Sequence, residues 1–156
     1  MKPEVARQLQ DVLDFREQRE ASARKQVAEQ HKKEIRNLAD FAAKKEKVIR
    51  PALQEIVDLY KIRGIVLRIV EDTEPRAKDA RPVFAPAIRL DMAGVYTTRS
   101  EIHPEFKLTF EKRSRTVSLY TATQSAGGHG GDIALDELTA DWVHREFVKY
   151  ESASIR

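Results

Sequence analysis

The sequence predicts an α+β protein: a very long N-terminal helix, a four-stranded antiparallel sheet and a C-terminal helix that closes the sheet. Three observations carry this. Residues 4–50 contain neither glycine nor proline and are dense in Ala, Glu, Gln, Lys, Arg and Leu, the strongest helix formers. After Gly64 come short apolar or alternating segments separated by polar connections, the mark of strands. The last stretch, Asp136 to Tyr150, is amphipathic at helical spacing.

Taken in order, the first helix would reach roughly 70 Å before Pro51, at about 1.5 Å per residue. A helix of that length needs a partner, because propensity alone contributes little stability. Leu38, Ala42, Lys45, Ile49, Ala52, Ile56 and Leu59 alternate steps of four and three, as the inner positions of a heptad do. Of these, Leu38, Ala42, Ile49, Ala52, Ile56 and Leu59 are the expected seam between two copies of the chain. Phe41, Val48, Leu53, Val57 and Tyr60 widen that face, so the same half should also pack on the rest of its own chain. Val5, Leu9, Val12, Leu13 and Phe15 form a second apolar cluster. The stretch between the clusters is highly charged and Ala-lined. Pro51 has no Ser, Thr, Asp or Asn immediately before it to cap a new helix, which points to a kink there rather than a stop.

Gly64, preceded by Lys61 and Arg63, is the expected helix terminus. Ile65 to Glu71 reads as a central strand, apolar on both faces apart from Arg68. Asp72 to Pro82 reads as a loop. Ala87 to Met92, Phe106 to Glu111 and Thr116 to Thr121 alternate cleanly and complete a meander. Val95-Tyr96 reads as a short edge piece, and Ser125 to Asp132, with four of the six glycines, as a flexible loop. Leu135, Leu138, Trp142, Val143, Phe147 and Tyr150 give the last helix a broad apolar face to lay on the sheet. The expected domains are a helical stalk, residues 1–63, and a sheet-plus-helix domain, residues 64–156.

The 156 residues carry a formal charge of +3 and no cysteine, excluding disulfides and thiolate chemistry. No run approaches the ~20 apolar residues of a membrane span, and the first residues lack a signal-peptide core. A cytoplasmic protein that does not contact membrane is expected. Residues 1–63 hold 15 Lys and Arg against 11 Asp and Glu, a balance of +4. Mixed signs along a helix usually mark a solvated face.

No catalytic constellation can be read. Gly127 to Gly131 resembles a phosphate-wrapping loop in composition alone: no helix start follows directly, Asp132 stands next, and no Lys-Ser/Thr pair is present, so neither a Walker loop nor a dinucleotide fingerprint exists. His31, His103, His129 and His144 lack metal-site spacing, although His103 and His129 with a carboxylate remain a conceivable set. Ser118, Thr121 and Ser125 have no nucleophile-elbow context. The outward sheet face should carry Arg68, Arg89, Asp91, Lys107, Thr109, Glu111, Ser118 and Tyr120. Arg68, Arg89, Lys107 and Tyr120 are the candidate partner-binding residues.

The expected function is therefore a non-enzymatic, self-associating adaptor, a homodimer that binds a protein partner through its sheet face or its helix. Cofactors and metals are not expected. The alternatives are a nucleic-acid-associated factor using the basic long helix, and a small-ligand or enzymatic domain built around Gly127 to Gly131. The basic knots Arg24-Lys25, Lys32-Lys33 and Lys44-Lys45-Glu46-Lys47 are short and interrupted by acids, so nucleic-acid binding should be weak.

Overall fold

The computed structural model describes residues 1–72, 85–95, 102–123 and 126–155. The order of elements is α1 (Pro3–Lys44), a π-helical turn (Lys45–Ile49), α2 (Arg50–Ile62), β1 (Arg68–Asp72), β2 (Ala87–Asp91), β3 (Glu105–Glu111), β4 (Thr116–Ala122), β5 (Gly127–Ala134) and α3 (Ala140–Ser154). Short 3-10 turns occupy Ala93–Val95 and Leu135–Glu137. The α+β class is as the sequence predicts.

The chain divides into two units, residues 1–36 and 37–156. The first is uninterrupted helix from Pro3 onward, with Val5, Leu9, Val12, Leu13, Phe15 and Val27 all exposed. It is a helix with an apolar stripe and no packing partner within its own unit.

In the second unit the helix runs on through Pro51 without a stop. The π turn directly before it donates the Arg50 backbone N–H to the Lys45 carbonyl, five residues back. Proline has no N–H to donate, and a π turn is a common way for a helix to absorb such a defect. Pro51 sits in the first turn of α2, where proline is well tolerated.

The sheet has five strands, not four, in the order β1-β2-β3-β4-β5 with every neighbour antiparallel. It is an open sheet whose edges are β1 and β5. The C-terminal helix covers part of one face and does not close it. The additional strand is the glycine-rich segment expected to be a loop. Glycine is depleted in strands, but here two glycines fit side chains reaching across from β4. A Cβ at Gly127 would strike the Tyr120 hydroxyl, and one at Gly130 would lie 3.0 Å from the Leu119 side chain. Gly130 is the extra residue of a bulge opposite Leu119 and Tyr120, and Gly131 holds a φ of +130° that side-chain-bearing residues avoid.

The first strand is shorter than expected. It begins at Arg68, leaving Ile65 to Leu67 as a connector in which Leu67 is buried and Val66 exposed. Val95 lies in a 3-10 turn rather than an edge strand. Tyr96 and most of the Asp72–Pro82 loop lie outside the described residues.

One face of the sheet supplies the core. Ile88, Leu90, Phe106, Leu108, Phe110, Val117 and Leu119 meet Phe41, Ile49, Leu53 and Ile56 from the helices before the sheet and Leu135, Leu138, Val143, Phe147 and Tyr150 after it. The Phe41 ring stacks on Phe110 with centroids 4.6 Å apart, and Phe106 meets Phe147 edge-on at 5.4 Å. The Tyr150 hydroxyl donates to the Ala122 carbonyl at 2.7 Å, so α3 is fixed to the end of β4 by a polar bond as well as by packing. Thr139 caps α3 by accepting the Trp142 N–H, as a threonine in that position does.

Candidate functional site

Because alternate residues of β2, β3 and β4 are committed to the core, the others must lie on the opposite face. Cross-strand registers arrange them in rows. Val70, Arg89, Lys107, Tyr120 and His129 form one continuous row across all five strands. Arg68, Asp91, Glu105, Ala122 and Gly127 form the row on one side of it. Asp72, Ala87, Thr109, Ser118 and Asp132 form the row on the other. The four candidate partner-binding residues therefore share one face, and Arg89, Lys107 and Tyr120 share one row. His129 joins that row through β5, which composition had hidden.

The charges pair both between rows and within one, Arg89–Glu105 diagonally and Arg68–Asp91 directly across the strands. Arg89 reaches Glu105 at 3.0 Å and Arg68 reaches Asp91 at 3.3 Å. Asp91, 7% exposed, also takes His103 at 3.1 Å and the backbone N–H of Ala93 at 2.9 Å. Burial alone would raise the Asp91 pKa, but the Ala93 N–H, His103 and Arg68 outweigh it and hold the carboxyl below its ordinary value. At the β5 edge, Asp132 accepts from the Ser118 hydroxyl at 2.6 Å and meets the His129 ring at 2.8 Å. Those two contacts, Ser118 first, lower the Asp132 pKa.

This Ser-Asp-His group does not have the connectivity of a hydrolase triad. A nucleophilic serine must pass its proton to histidine, whereas the Ser118 proton points to the carboxylate. His129 and Asp132 are also more than half exposed, so neither is tuned by burial. His103 and His129 sit with different aspartates. Among the described residues, no group of three or more His, Asp or Glu side chains could hold a metal ion.

A second polar cluster secures the helix to the sheet. Arg115, in the β3–β4 turn with a φ of +57°, donates to Asn37, Asp40 and Asp136 at 3.1, 2.5 and 2.7 Å. Asp136 and then Asp40 raise the Arg115 pKa further above its already high value. Asn37 in turn donates to the Lys112 carbonyl at 2.8 Å. The basic knot near Pro51 is partly neutralised: Lys45 and Arg50 both bind Glu71, and Arg50 also pairs with Glu46.

The expected oligomer seam is placed differently from its reading as an interface. Ile49, Ala52 and Ile56 are buried in the core of their own chain. Leu38 is half-buried against the same core, Ala42 is exposed, and Leu59 is 63% exposed. The heptad spacing thus coincides with a face that packs on the sheet; period alone does not say what the face meets.

Leu59 borders a feature the sequence did not reveal, an open groove of about 510 Å³ between α2 and α3. Its walls include Ile56, Leu59, Phe147, Val148 and Ile155, with Glu55, Tyr60, His144 and Glu151 among them. His144 lies 3.1 Å from Glu55 and 3.2 Å from the Ala52 carbonyl. The only prior signal would have been Val148 and Ile155, which stand outside the apolar face expected to cover the sheet.

No family model, no curated protein and no solved structure was found to match this chain.

Proposed function

We propose that this chain is a non-enzymatic interaction protein that self-associates through its first 36 residues and holds a protein partner on the outer face of its sheet. The row Val70–Arg89–Lys107–Tyr120–His129 carries the reading. It holds Tyr120 and Arg89, residue types enriched at protein interfaces. Self-association is supported by the exposed stripe of Val5, Leu9, Val12 and Leu13, each 42–62% accessible, since most helices in proteins gain their stability by packing an apolar face.

Affinity capture from cell extract with the native chain, with Lys107→Glu/Tyr120→Ala and with Leu59→Ser tests the partner face. A protein retained by the native chain and Leu59→Ser, and lost by the sheet-face double variant, is the expected result. Identical capture by all three would remove the sheet face from consideration.

A second reading rests on Arg24, Lys25, Lys32, Lys33 and Arg36, which face only Glu29 and Glu34 within residues 21–36, a balance of +3 on a single helix. Such a segment can bind nucleic acid through phosphate contacts that fade steeply with salt. Anisotropy with duplex DNA should show at most micromolar binding at low salt, gone by about 0.15 M. Sub-micromolar binding that survives that salt, and disappears when Lys32 and Lys33 become Glu, would put nucleic acid first.

A further inference from the structure

We draw no further inference here: the strongest candidate, the open apolar groove between α2 and α3 walled by Leu59, Val148 and Ile155, carries none, because its acids Glu55 and Glu151 are already engaged by His144 and Tyr60 and nothing in the structure shows what covers it.

Discussion

Asp91 is a polar residue inside the β1–β2 pair that the alternation pattern assigned to the open face. It is nevertheless only 7% exposed, because Arg68, His103 and the Ala93 N–H close over it. A carboxyl whose pKa is lowered on folding adds stability above its unfolded pKa and loses it as pH falls through the folded value. Asp91→Asn should therefore cost about 2 kcal/mol near neutral pH, the scale of hydrogen bonds to a charged group. It should also flatten the acid limb of the stability curve below about pH 4, near the ordinary carboxylate value. Urea midpoints measured from pH 3 to pH 7 check both, and a parallel downward shift at every pH would mean the charge is not what Asp91 contributes. Arg115 offers a contrast: its ion-pair partners Asp40 and Asp136 are 45% and 73% exposed, and salt bridges of that kind contribute little. The bond to the buried Asn37 is the one that counts. Arg115→Ala should lower the melting temperature by only a few degrees.

At the scale of elements, the two ends of the chain were legible and part of the sheet was not. A long glycine-free run can hardly be anything but helix, and α3 declared itself through Val143, Phe147 and Tyr150, which are all buried. The fifth strand escaped because its glycines answer to Tyr120 and Leu119, and those contacts exist only once β4 lies beside it. The common face of Arg68, Arg89, Lys107 and Tyr120 was readable from period-two alternation, while the groove was not, because its walls come from helices distant in sequence. Ile49 was assigned to a seam for a similar reason: spacing reports a face, and Ile49 is wholly buried against its own sheet. Ile49→Asp should accordingly unfold the protein rather than separate two folded copies. Phe147→Ala should cost about 3–5 kcal/mol, and a chain ending at Leu135 should lose cooperative melting. Calorimetry of these variants decides; a sharp transition in the shortened chain would show that α3 is dispensable to the core.

For the whole molecule, the division after Arg36 makes a separable prediction. Residues 37–156 hold every residue of the main core, so that fragment should fold alone and melt as the full chain does. Sedimentation equilibrium at micromolar concentration should find the fragment monomeric and the full chain larger. Serine in place of Val5, Leu9 and Leu13 should bring the full chain to the fragment's behaviour, with its helix content little changed. Both forms being monomeric would end the self-association reading and leave the sheet face untouched. Association of the fragment would instead place the contact within residues 37–156.

The bulge in β5 also governs where the sheet can grow. An exposed edge strand is a template for further strands, and straight edges are the ones that recruit neighbours. At Gly130 this edge gains a residue that its inner neighbour does not have, so the spacing of its outward amides and carbonyls changes step partway along. A regular strand arriving from solvent can match the ladder on one side of that point and must fall out of phase on the other. The irregularity that makes room for Leu119 thus doubles as a guard against runaway stacking of sheets, and deleting Gly130 should make the protein more prone to form fibrils.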